Sequence, residues 1–110
     1  MPFYMFTGRY TTDSLKAMVT NPQDREAEAR KLIEGLGGTL HSMFFCFGEE
    51  DIVAIIEMPD DESMAAGALV VGASGSMSGG STTKLMTSQQ AMAAMAAAGK
   101  AAGGYKGADA

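Results

Sequence analysis

The sequence predicts an α+β fold, a four-stranded antiparallel sheet with helices on one face. Three observations carry that prediction. Runs that alternate every second residue exchange with runs of helical period in the order strand, helix, strand, strand, helix, strand. The short segment Gly48-Glu49-Glu50 separates two β-rich runs and marks a hairpin, so its strands are antiparallel. The chain has 110 residues, 46% hydrophobic and 19% charged, which suits one core and leaves no room for a second.

The first strand is expected at Phe3–Tyr10, with Phe3, Met5 and Thr7 on one face and Tyr4, Phe6 and Tyr10 on the other. Thr11 or Thr12 then caps a helix whose apolar positions Leu15, Met18 and Val19 keep helical spacing until Asn21-Pro22 interrupts it. With Asn21 as a new cap and Pro22 at the first helical position the helix restarts, and Ala29, Leu32, Ile33 and Leu36 form one buried stripe. Gly37-Gly38 ends it.

Strands follow at Thr39–Phe47 and Asp51–Met58. The acids Glu49, Glu50 and Asp51 at their joint are expected to stay hydrated and to discourage sheet edges from adhering. Pro59 stops the ladder, and Asp60, Asp61 and Glu62 favour the positive end of a helix over about Asp61–Ala73. Its expected face is Met64, Ala65, Ala68, Leu69 and Val71-Gly72. Ser74–Gly80 reads as a glycine-rich connection and Ser81–Thr87 as the fourth strand. Thr87-Ser88-Gln89-Gln90 has the form of a capping box, which starts a last helix over Ser88–Ala98. The closing AAGGYKGADA buries little surface, so the domain is placed at residues 1–98 and a flexible tail at 99–110. The order of elements is that of the ferredoxin-like βαββαβ fold with an added C-terminal helix.

Both faces of this sheet carry apolar residues: Val53 and Ile55 on one, Ile52, Ala54 and Ile56 on the other. One layer of helices covers one face only, so the second is expected to meet another copy of the chain, with sheets about 10 Å apart. A homodimer, or a higher oligomer of dimers, is the expected assembly. Net charge is −5, divided as −7 over residues 1–62 and +2 over 63–110. Without a basic face, nucleic acid is not an expected partner. No apolar run reaches the roughly 18 to 20 residues of a membrane span and Met1–Tyr10 lacks the pattern of a secretory signal, so no membrane partner is expected and the cytoplasm is the expected location. Cys46 is the lone cysteine, which rules out an intrachain disulfide.

Gly37-Gly38 before a strand, F-G-E-E-D-I-V-A-I-I-E at 47–57, P-D-D-E at 59–62 and T-T-K-L-M-T at 82–87 together resemble the GYD domain family of small bacterial proteins, over roughly residues 2–90. That resemblance implies a ferredoxin-like domain of the dimeric α/β-barrel type and no particular activity. The chain departs from the family where Glu49-Glu50-Asp51 stands in place of Gly-Tyr-Asp, so Glu50 replaces the aromatic residue.

Among residues with chemistry to offer, His41 is the single histidine, on a strand face read as shared with Met43, Phe45 and Phe47. Its ordinary pKa of about 6.5 suits proton transfer or haem ligation; a lone strand histidine is more often structural. Cys46 lies among acids that disfavour a thiolate, so it reads as a small buried residue. The two acidic runs lack calcium-loop spacing, and no metal site is assigned. Gly72–Gly80 lacks the lysine and hydroxyl of a phosphate loop. The ten methionines read as gap-filling in core and interface.

Two functions therefore remain. The first is a non-catalytic oligomer binding a small apolar or aromatic ligand, or a protein partner, between sheet and helices, through Tyr4, Phe6, Arg9, Tyr10, Met43 and Phe45. The second is a cofactor-free or haem-dependent monooxygenase or isomerase using His41, with Tyr4, Tyr10 or Arg9 orienting substrate. This second reading rests on analogy between folds. The sequence names no cofactor.

Overall fold

The computed structural model describes residues 1–109. Its elements are β1 (Phe3–Tyr10), α1 (Thr12–Thr20), α2 (Arg25–Gly35), β2 (Thr39–Phe45), β3 (Ile52–Glu57), α3 (Asp61–Ala73), β4 (Met77–Leu85) and α4 (Ser88–Ala101), with a 3-10 turn at Ala102–Gly104. The strands form one antiparallel sheet in the order β2-β3-β1-β4. This is the ferredoxin-like arrangement, with both central strands supplied by elements distant in sequence.

The core lies between the sheet and two helices. Tyr4 of β1, Leu40 of β2, and Ala54 and Ile56 of β3 meet Ile33 of α2 and Met64 of α3, with Met58 beneath them. Leu40 and Met58 are the most deeply buried side chains. The opposite, outer face holds Phe3, Met5, Val53 and Ile55, all half-buried, and Phe44, which is 66% exposed.

Several boundaries differ from the sequence reading, each for a local reason. The N–H of Asn21 is already committed to Ala17 O at 2.8 Å, so Asn21 closes α1. The new cap is Asp24, whose carboxylate accepts from Ala27 N at 3.2 Å, and Pro22 lies in the link ahead of it. The hairpin loop is longer than three residues: it opens at Cys46, whose N–H donates to Asp51 O at 2.7 Å. In β4 the ladder starts at Met77, so Gly79 and Gly80 belong to the strand. Gly80 lies opposite Gly8, and a side chain there would press on Thr7 O at 3.0 Å and the Phe6 ring at 3.2 Å. Glycine in this strand marks a close approach across the sheet.

On α3 the buried residues are Met64 and Gly67, while Ala65 is exposed and Leu69 is 71% exposed. An almost wholly apolar helix does not declare its inner face; Gly67 sets it here by admitting Leu36 and Met58. Thr87 and Gln90 do form the reciprocal capping box that opens α4, and the helix runs three residues beyond Ala98. Leu15 and Val19 of α1 and Met92 and Met95 of α4 stand in solvent, and α4 packs mainly on the 3-10 turn that follows it. The radius of gyration, 18.0 Å, accordingly exceeds the roughly 13 Å of a compact chain of this length.

Gly37 and Gly38 have different duties. Gly37 takes φ +86°, the left-handed conformation that follows many helices. Gly38 is required for space, since a Cβ there would overlap the Glu57 carbonyl and lie 2.5 Å from Met58 Sδ.

Candidate functional site

Small residues open a space in the middle of the helix-covered face. Ala54 on β3 lies between the larger Ile52 and Ile56, Ala29 stands above it on α2, and α3 brings Gly67 and Ala68. Together they border a cavity of about 280 Å³. Its floor also includes Phe6 and Met43, and Leu32, Val70 and Val71 extend its sides. The lining is mainly apolar. Its polar members are Arg25 and Glu28 at the start of α2, Tyr10 of β1, and Ser74 and Ser76 before β4.

These polar groups are held from several directions. Tyr10 is 5% exposed, and its ring stacks against Phe45 with centroids 6.0 Å apart. Its backbone N–H donates to Asp51 Oδ2 at 2.8 Å. Burial pushes the Tyr10 hydroxyl above its usual pKa, and the positive charge of nearby Arg25 opposes that rise. Arg25 donates from Nη1 to Gln23 Oε1 at 2.9 Å. Glu28 is paired with Lys31 at 3.3 Å.

Of the residues singled out in the sequence, Phe6, Tyr10 and Met43 border the cavity, and Phe45 touches its rim through Tyr10. Tyr4 is buried at the opposite end, donating from its hydroxyl to Asp61 Oδ1 at the start of α3. Burial first, then this bond to a carboxylate, push its pKa up to about 12. Arg9 lies away from the cavity and clamps the hairpin, donating from Nε and Nη2 to Glu49 O at 3.0 and 2.7 Å.

His41 also lies elsewhere, and the face assigned to it from the sequence is corrected. The β2–β3 register slips between Leu40 and Ser42, so that Leu40 pairs with Ile56 and Ser42 with Ile55. This bulge reverses the alternation. Met43 and Phe45 consequently face the helices, whereas His41 is on the outer face, its Nε2 2.9 Å from Glu57 Oε1 and its ring 5.3 Å from that of Phe3. The sheet separates it from the cavity. Phe47 is fully exposed in the loop. Cys46 is half-buried.

Sequence reasoning missed Arg25, Ala29 and Ala68. A faint signal existed for the alanines, because they share the helix-facing positions of otherwise bulky stripes. Arg25 gave none: it follows a cap that the sequence placed three residues too early. Among the described residues, no group of three or more His, Cys, Asp or Glu side chains is arranged to hold a metal, and no helix is long and apolar enough to cross a membrane.

A GYD domain family model matches residues 4–96. No curated protein matches the chain. Among solved structures, the crystal structure of MtbAldR superposes with a TM-score of 0.58 at 12% identity, covering 78% of this chain, which spans 53% of MtbAldR. That of FFRP-DM1 gives 0.50 at 9% identity, covering 78% of this chain and 100% of its own. Likeness at such identity shows a common fold.

Proposed function

The chain belongs to the GYD domain family, and from that premise we propose that it is an oligomeric ligand-binding domain that takes a small apolar or aromatic molecule between its sheet and helices α2 and α3. The cavity is the observation that carries this reading. The space is a mainly apolar cleft, partly open to solvent, of about 280 Å³, nearly twice the volume of the roughly 150 Å³ apolar cavity that accepts benzene. Side chains from the sheet, α2 and α3 all border it, so an occupant would join the layers of the fold.

Self-association is supported by exposed area. The chain presents 7383 Å² to solvent, whereas a compact monomer of 11.4 kDa presents about 5,800 Å². The excess, about 1,600 Å² per chain, is shared between the exposed faces of α1, α3 and α4 and the outer sheet face, and as a whole it is in the range that obligate dimers bury on each partner. The outer sheet face with Phe3, Val53, Ile55 and Phe44 is the surface we assign to a second copy, as in dimeric α/β barrels.

Native mass spectrometry of the full-length protein at micromolar concentration tests both parts. A dimer, or a multiple of one, carrying small-molecule mass released on denaturation is the expected result. A bare monomer that also shows no thermal stabilisation by indole or naphthalene probes would overturn the proposal.

A further inference from the structure

The cavity's polar rim narrows the ligand to a chemical class, an inference that rests on the ligand-binding reading above. Arg25 is the one cation bordering the cavity among the described residues, and it is half-buried. The acids nearest it in sequence are otherwise engaged. Asp24 caps α2 through Ala27 N, Glu26 pairs with Arg30 at 3.3 Å, and Glu28 pairs with Lys31 at 3.3 Å. Arg25 itself donates to a neutral oxygen, Gln23 Oε1 at 2.9 Å, and lies close enough to the Tyr10 hydroxyl to oppose its rise in pKa. A guanidinium offers five donors in a planar fork that matches a carboxylate. One at the rim of an apolar cavity, with no carboxylate partner among the described residues, favours an anionic group there.

We propose that the site binds an amphipathic monocarboxylate, its apolar body among Ala29, Met43, Ala54 and Ala68 and its carboxylate on Arg25 beside the Tyr10 hydroxyl. The Tyr10 hydroxyl is a phenol at neutral pH and can donate to the same carboxylate. A second carboxylate would fall among the apolar walls without a cation, which disfavours diacids. The volume suits a body somewhat larger than one benzene ring, such as a fused bicycle.

The test is calorimetric titration of the full-length protein at pH 7 with 2-naphthoate and its neutral counterpart 2-naphthamide. Wild type is expected to bind the acid about tenfold or more tightly than the amide, the preference expected of charge-assisted hydrogen bonds. Arg25→Gln should remove that preference and leave amide binding in place. Ala68→Phe should abolish both, and Ala29→Leu, a gentler filling of the same space, should weaken both. Equal binding of acid and amide by wild type, or an undiminished preference in Arg25→Gln, would overturn the carboxylate assignment while the ligand reading stands. Failure of wild type to bind either probe, or full binding by both folded filled variants, would overturn the two together.

Discussion

Asp51 Oδ2 accepts the backbone N–H of Tyr10 at 2.8 Å, so the β2–β3 loop holds the end of β1 where that strand borders the cavity. Asp51 also donates its own N–H to Gly8 O at 2.8 Å. Of the three acids at the hairpin, this one is a structural fastener. The sequence reading of a uniformly hydrated tip fits Glu49, which is exposed, and fails for Asp51. Asp51→Ala leaves the amide of a buried residue without its acceptor and is expected to cost about 1–3 kcal/mol. Glu49→Ala and Glu50→Ala should each cost less than about 0.5 kcal/mol, because Arg9 grips the Glu49 carbonyl, which alanine retains. Urea unfolding of the three variants checks the order. Equal losses would contradict it.

Gly38 makes a second prediction about the architecture. Any Cβ there collides with the Glu57 carbonyl and Met58 Sδ, and Met58 is 1% exposed with little room to move. Gly38→Ala is therefore expected to destabilise by about 1–3 kcal/mol, the usual cost of overpacking. Gly72→Ala provides the contrast, since nothing lies within 4 Å of its added methyl and a helical alanine is favoured over glycine by about 1 kcal/mol. Thermal melts that rank these variants the other way would rule out the steric account.

The same details explain how much of the fold was legible in the sequence. The order of elements and the span Asp61–Ala73 followed from period and punctuation, because Pro59 and the acids after it are local signals. Thr87 and Gln90 likewise announced α4. What escaped was set by contacts between distant segments. The bulge at Leu40–Ser42 is a property of pairing with β3, and it alone turned Met43 and Phe45 toward the helices and so parted them from His41 on the outer face. Gly79 and Gly80 looked like a loop until Phe6 and Gly8 were placed beside them. The cavity was legible only as a general expectation of space between layers; Arg25 and the alanines that shape it become neighbours of Tyr10 and Met43 only in three dimensions.

The contact between Tyr4 and Asp61 makes stability depend on pH at both extremes. The Tyr4 hydroxyl is raised from 10.0 to about 12, first by burial and then by its bond to the carboxylate. A phenol stabilised in its neutral form contributes fully below pH 10, and that contribution is lost as pH rises from 10 to about 12. Asp61 is held below its ordinary 3.8, first by the Tyr4 hydrogen bond and then by Lys84. Its contribution is present above 3.8 and disappears as pH falls through the lower folded value. Tyr4→Phe should cost about 1 kcal/mol at neutral pH, and the wild-type advantage should shrink across pH 10–12. An advantage unchanged over that window, in denaturant titrations at each pH, would refute the assignment.

His41→Ala separates the two faces of the sheet. The side chain is 40% exposed and its contact with Glu57 is a surface pair, so its loss should cost less than about 1 kcal/mol. Because the sheet lies between His41 and the cavity, binding of 2-naphthoate should stay within about twofold of wild type, by the usual independence of distant sites. A variant that folds normally and binds the probe tenfold more weakly would return His41 to the ligand site.

The outer face supplies the last prediction. Phe44 is 66% exposed in the single chain and sits in register with Val53, while Ile55 pairs with Met5 across the central strands. If a second copy covers this surface, a lysine on it places an unpaired charge in an apolar interface, a burial that costs far more than the local fold loses. Phe44→Lys and Ile55→Lys should therefore sediment as monomers at concentrations where wild type is a dimer. Phe44→Lys should keep the far-ultraviolet circular dichroism of wild type, because one chain alone does not bury that ring. Both variants sedimenting as wild-type dimers would exclude this face as the contact and shift attention to the exposed methionines of α4, where Met92→Lys and Met95→Lys repeat the experiment.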